Sequence, residues 1–456
     1  MQDVSEFVGA RPRSVPNWRE TLRLLRTNPI ELWPEAAYHE PVIRLNLMTQ
    51  PMLVISDPDL IHHVLIGHAE NYRRTAAAIR LTRPLIGRGL LLSTGPLWRR
   101  QRRIVATALA PRSLEPLIRS TAQAINVWLG SIESNIDRPV DLLSALQTLA
   151  LDIATRSMFS MTAAPFAEEL RVLLNSTAAE LWRPDALDLT LPAALPSPRD
   201  LLRWRLRQRW TRLISRIIAQ RLTQRVPDNP EDLLDLLRVG TIPDGPAGRR
   251  QLRDEIGTLL IAGHETTALA LFWSCLLLAG DQQAQERIAR EAADLDLTGT
   301  GAAIAAMLDR LVFTRAVVSE ALRLFPPASI IARQAIHAVR HGDQTITRGT
   351  ILLIAPWVLH RHHAFWPNPE LFDPTRFLPG AASVERFAYL PFGAGPRVCV
   401  GAQFAMAEAT LSLAALMRTY RITRTDNQPV KPVVILTTRP DHAPGFRLVT
   451  RHCPIN

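Results

Sequence analysis

The stretch from Ile256 to Gly280 constrains this chain most, because it is almost wholly apolar and approaches the length needed to span a bilayer. Its middle rules that use out: His264, Glu265, Thr266 and Thr267 stand where a charge in lipid is costly. The reading that fits is a long helix buried inside a large soluble domain. At 456 residues, 47% of them apolar, the chain has material for such a body. Gly263 lowers helix stability relative to alanine, and a hydroxyl–carboxylate pair beside it is hard to explain by packing. One reading is a local distortion at Gly263 that opens a groove, with the Thr266 hydroxyl bonding a ligand or water and Glu265 carrying protons inward. The other is a threonine bonded back to its own helix carbonyl.

A second feature names the chemistry. Phe392-Gly-Ala-Gly395-Pro-Arg397-Val-Cys399-Val-Gly401 sets one cysteine among glycines, with a helix-forming run from Ala402 to Leu416 directly after it. Glycine permits backbone turns and close approaches that a Cβ would block, so the chain can wrap a flat or bulky ligand. A helix start favours thiolate over thiol. With the arginine, this describes a thiolate ligand for a metal centre that carries acidic groups.

The pattern Phe392, Gly395, Arg397, Cys399, Gly401 resembles the haem-binding loop of the cytochrome P-450 monooxygenases, a family whose haem iron has a cysteine axial ligand. Ala262-Gly263-His264-Glu265-Thr266-Thr267 is similar to that family's oxygen-binding helix motif. The resemblance implies haem b (iron protoporphyrin IX) with Cys399 on the iron, and Phe392, Gly393, Gly401, Ala262 and Gly263 against the cofactor. It implies Glu265 and Thr266 as the acid–alcohol pair that delivers protons during dioxygen cleavage. Trp98 and Arg102, four apart on one helix face, match the family's Trp-x-x-x-Arg helix, and with Arg333 and Arg397 they would hold the haem propionates, for which the guanidinium fork is suited. Glu320 and Arg323 match its Glu-x-x-Arg helix, and Arg376 the arginine that completes a structural Glu-Arg-Arg cluster. Alignment to the family's pocket-lining segments places substrate near Leu259, Ala262, the loop around Tyr72 to Leu92, Ala328, Ile330, Ile331, Leu436 and Thr437. These positions are largely apolar, which suggests a lipophilic substrate.

The implied fold is mainly α with a small β portion, a single domain over 1–456, with haem between the long oxygen-binding helix and the cysteine-loop helix. Residues 1–30 read as an N-terminal extension without signal peptide or membrane anchor. Short strands are expected within Ala37–Ile55 and after Pro327, and a turn at Thr345–Thr350. Proline-rich breaks fall at Trp182–Arg199, Val226–Pro230 and Thr241–Gly248, and a terminal hairpin turns at Arg439-Pro440-Asp441. Leu201–Arg225 reads as a surface helix that buries Leu206, Trp210, Leu213, Ile214 and Ile217, although a basic amphipathic helix can also bind membranes or partners.

Cys275, Cys399 and Cys453 do not suggest a disulfide framework, so a reducing, cytoplasmic setting is expected. The net charge of +11 is almost wholly arginine, spread along the chain without a nucleic-acid motif. Arg99, Arg100 and Arg103 can be ordinary solvated surface arginines. The family resemblance, however, places their helix at the face nearest the thiolate, where electron donors dock. It thereby implies a positive patch for an acidic ferredoxin or flavodoxin, supplied with its reductase. His360, His362 and His363 lack further ligands at sensible spacing in the sequence, so no metal site is expected there. The expected reaction is hydroxylation or epoxidation by a monomeric enzyme. A peroxide-driven peroxygenase and a haem gas sensor are the rivals, and the acid–alcohol pair weighs against both.

Overall fold

A computed structural model describes residues 2–8, 11–47, 50–110, 113–134, 138–174, 181–192, 195–222, 232–239 and 245–451. Helix accounts for 57% and strand for 12%, so the chain is mainly α with a small β portion. Val226–Pro230, the first half of Thr241–Gly248 and Cys453 lie outside the described residues.

The long apolar stretch forms the core of one helix, Gly245–Ala279, here called the central helix. From Ala268 onward it is apolar on every side apart from Ser274, whose hydroxyl donates to the Ala270 carbonyl. Leu269, Leu271, Phe272, Trp273, Cys275, Leu277 and Leu278 are at most 1% exposed, and burial raises the Cys275 thiol to about 12. A helix apolar all round must be enclosed. Helices Leu142–Phe159, Val312–Leu324 and Ala402–Thr419 enclose this one. Helix Asp200–Leu222 turns Leu206, Trp210, Leu213, Ile214 and Ile217 inward, as its spacing predicts.

The β portion is a five-stranded sheet in the order Val42–Leu47, Gln50–Ile55, Ile351–Ile354, Ile331–Ala335, Tyr72–Arg73, with small sheets elsewhere. The N-terminal segment is folded onto the body: Gln2–Asp3 pairs with Leu371–Phe372, and Phe7 sits edge-on to Phe325.

The terminal hairpin differs from expectation. Pro432–Val434 pairs with Thr438–Pro440 around a turn at 435–437. Pro440, taken as a turn residue, instead ends the second strand, where its missing N–H costs no ladder bond. Gly445–Thr450 leaves to pair with Tyr420–Arg424 in another sheet.

Candidate active site

The central helix runs unbroken through Gly263, and the Thr266 hydroxyl donates to the Ala262 carbonyl at 2.6 Å, so the back-bonded reading of Thr266 describes the observed state. The helix nevertheless borders open space here. Ala262 is exposed although the helix on either side is buried, and a Cβ on Gly263 would meet no atom within 4 Å. Glu265 is turned to the hairpin, where its carboxylate accepts from the Arg439 guanidinium. Neither this arginine nor its pairing was foreseen.

The cysteine loop folds through two residues at positive φ, Gly393 (71°) and Gly395 (73°). Gly395 is irreplaceable on two counts, since a Cβ there would lie 2.0 Å from the Leu65 carbonyl oxygen. The Cys399 N–H donates to the Phe392 carbonyl at 2.9 Å, closing the loop, and Gly401 caps the Ala402–Thr419 helix. The Cys399 side chain is exposed, although the protein around it still desolvates the sulfur. Burial raises its thiol, against the opposing pull of the Gly401 N–H and the Arg102 charge. The helix start and the arginine therefore do not by themselves produce the expected thiolate; a metal cation at the sulfur would.

Three guanidinium groups converge beside the loop. Arg397 lies over the Trp98 indole, 4.0 Å from the ring centroid, and donates to the carbonyls of Leu90 and Ser93. Burial and the charges of Arg333 and Arg102 lower it to about 10. Arg74 is lowered to about 9 by burial and by Arg397 and Arg333, and Arg333 is lowered by burial. Among the described residues no carboxylate acts on any of the three. Clustered, half-buried cations without a counter-charge are unfavourable unless an anion joins them. A cofactor with two planar carboxylates fits this set, so the donors present suit haem. Arg74 was missed because nothing local separates it from Arg73, which is exposed and bonded to Gln334. Arg102 donates to the Val398 carbonyl at 2.7 Å, next to the cysteine.

Glu320 and Arg323 are each 0% exposed and joined by two bonds of 2.7 and 2.8 Å, with Arg376 3.6 Å from Glu320. The remaining Arg323 donors reach the carbonyls of His360, Pro369 and Leu371, and Glu320 also accepts from the Asp373 N–H. His360 completes the unit: its Nδ1 meets the Arg323 carbonyl and its Nε2 accepts from the Leu390 N–H at 2.8 Å, just ahead of the cysteine loop. Glu408, wholly buried on the cysteine helix, sits beside the Thr267 hydroxyl and is raised well above the carboxylate range by burial.

Of the expected pocket positions, Ala262 and Ala328 are exposed, Ile330 and Ile331 half-buried, Leu436 37% exposed, and Leu259 and Thr437 buried. The Thr438 N–H and hydroxyl bond to the Pro327 and Pro326 carbonyls, drawing the hairpin to Ala328. Ile331 lies against Gly393. Of the histidines, His360 and His362 are buried, whereas folding brings Glu35 and His39 to His363 on the surface, ligands the sequence spacing had not offered. The His39 and His363 rings are stacked, 4.2 Å apart and 11° from parallel, so their nitrogen lone pairs do not converge.

With this geometry in place, comparison with known proteins is specific. The cytochrome P450 family model matches residues 23–442. A cyclooctatin synthase of Streptomyces melanosporofaciens is 30% identical, covering 95% of this chain and 96% of its own length. A cyclooctat-9-en-7-ol 5-monooxygenase of the same organism is 28% identical over 91% of this chain and 89% of its own. The cytochrome P450DA heme domain superposes with a TM-score of 0.82 at 23% identity, covering 98% of each chain. The retinoic acid-bound cyanobacterial CYP120A1 does so with a TM-score of 0.74 at 24% identity, covering 90% and 92%. The chain belongs to the cytochrome P450 family and is a P450 monooxygenase.

Proposed function

We propose that the chain is a haem-thiolate monooxygenase acting on a lipophilic substrate by hydroxylation or epoxidation, with electrons from separate redox proteins. The single observation that carries the site assignment is Cys399 exposed on the glycine loop beside three arginines on which, among the described residues, no carboxylate acts. In this reading Cys399 would hold the iron of haem b, which would supply dioxygen activation when bound. Arg74, Arg333, Arg397, Trp98 and Arg102 orient it through its carboxylates and the loop beside it. Glu265 takes up protons from the solvent side, and Thr266 passes them on after rotating its hydroxyl off the Ala262 carbonyl. Glu320, Arg323 and Arg376 keep the cysteine loop's support rigid.

Leu259, Ala262, Ala328, Ile330, Ile331, Leu436 and Thr437 line the substrate space, and their apolar character selects a lipophilic molecule. A fatty acyl chain or a terpenoid is such a molecule; two Streptomyces relatives carry cyclooctatin and cyclooctat-9-en-7-ol in their names. Arg99 and Arg103 are exposed on the Gly95–Ala108 helix, which also carries Trp98 and Arg102. This gives an acidic ferredoxin or flavodoxin a basic face. The protein acts as one cytoplasmic, monomeric domain.

The test is product formation from dioxygen with a ferredoxin and its reductase across a panel of lipophilic compounds first screened for a spin-state change. Product that vanishes when the donor is omitted supports the reading. Product from peroxide alone, at equal rate and unaffected by Thr266→Ala, would favour a peroxygenase.

A further inference from the structure

Glu265 is fixed by a residue far along the chain. Its side chain is 9% exposed and its carboxylate accepts from the Arg439 guanidinium, itself 18% exposed. The backbone behind Arg439 is firmly placed. In the preceding residue the Thr438 N–H donates to the Pro327 carbonyl at 3.0 Å, its hydroxyl to the Pro326 carbonyl at 2.7 Å, and its carbonyl accepts from Trp273 Nε1 at 3.0 Å. Trp273 stands on the same helix as Glu265, two turns on. Charge-assisted bonds to a planar guanidinium are directional, so the pair sets where the carboxylate sits, not only that it is buried. The turn next to this strand carries Leu436 and Thr437, at the expected substrate space.

We propose that Arg439 is the positioning residue for Glu265, holding the carboxylate at the hairpin so that the proton hand-over to Thr266 runs through this one orientation. The inference rests on the proton-relay reading above. One proton enters on the Glu265 carboxylate, one leaves from the Thr266 hydroxyl toward the pocket, and Glu265 returns to its ion-paired form. No electrons move in the exchange; they come from the redox donor. Arg439 touches neither substrate nor cofactor in this scheme.

The experiment uses the haem-loaded protein turning over without substrate, reduced by NADPH through a plant-type ferredoxin and its reductase. The fraction of consumed dioxygen released as peroxide is the readout, because failed proton delivery diverts turnover from water to peroxide. Arg439→Gln and Arg439→Met are expected to raise that fraction about as far as Glu265→Gln does, several-fold. Arg439→Lys is expected to restore most of the loss, and the carbonyl spectrum to stay unchanged in all four. A merely structural role would lower haem content or thermal midpoint without this pattern. If Glu265→Gln raises peroxide while Arg439→Gln and Arg439→Met do not, the positioning role is overturned and the relay stands. If Glu265→Gln itself changes nothing, the relay reading fails and this inference fails with it.

Discussion

The Arg397 guanidinium rests on the face of the Trp98 indole, 4.0 Å from its centroid, while donating to the carbonyls of Leu90 and Ser93. One arginine of the cysteine loop thereby clamps the helix that begins at Gly95 and the turn before it. Desolvated cation–π contacts contribute about 2 kcal/mol. Trp98→Ala and Arg397→Ala are each expected to lower haem affinity by roughly 10- to 100-fold. Haem transfer to apomyoglobin measures this, and unchanged retention in both variants would detach the pair from the cofactor.

Glu320 and Arg323 form a buried pair with no solvent to replace a lost partner. Breaking such a pair on one side costs about 3–5 kcal/mol. Glu320→Gln and Arg323→Lys should both fail to accumulate as folded protein. Arg376→Lys, at a partner that stands 3.6 Å away and partly exposed, should be the milder change. Expression yield and circular dichroism of the three variants check the order.

Acid should act through His360, whose site suits only a neutral ring. Burial lowers it to about 3, with the Arg323 charge adding to this. The folded form thus resists protonation that the unfolded chain accepts below about 6.5. Stability is full above that pH, declines as pH falls, and has lost this contribution once pH passes the folded value near 3. The slope from this one group reaches about 1.4 kcal/mol per pH unit at most. Urea midpoints between pH 7 and pH 4 should fall in the wild type and fall less in His360→Gln.

Glu255 carries the opposite sign. It is 2% exposed and raised to about 8 by burial, with Asp254 beside it adding to the shift. The unfolded chain ionises it near the ordinary carboxylate value, so stability is lost as pH rises from there toward 8. Glu255→Gln keeps an acceptor for the Leu90 N–H and should stabilise the protein at pH 7 by on the order of 2 kcal/mol, read as a higher thermal midpoint.

What could be read from the chain was what lies close together in it. The cysteine loop, the Ala262–Thr267 segment and the Glu320–Arg323 turn each pack several chemically distinctive residues into one short element. The amphipathic face of the helix beginning at Asp200 was legible for the same reason. The burial of Glu320 and Arg323 was not, since a bare pair one turn apart looks the same on a surface. Arg74 gains its meaning from Arg333 and Arg397, which folding brings beside it. Arg439 was hidden behind a Pro-Asp step that reads as a turn, whereas Pro440 pairs with Pro432 at a strand end. Glu408 and His360 depend wholly on burial, which a polar residue in an apolar run does not announce.

Every role proposed for the site depends on the Cys399 sulfur being the axial ligand of a haem set between the cysteine loop and the central helix. The reduced carbonyl spectrum of the haem-loaded protein tests this without intermediaries, with Cys399→Ser alongside. The wild type should show the red-shifted band of a thiolate ligand, and the variant should lose it. A histidine-type band in the wild type, or a thiolate-type band that survives Cys399→Ser, would contradict the assignment.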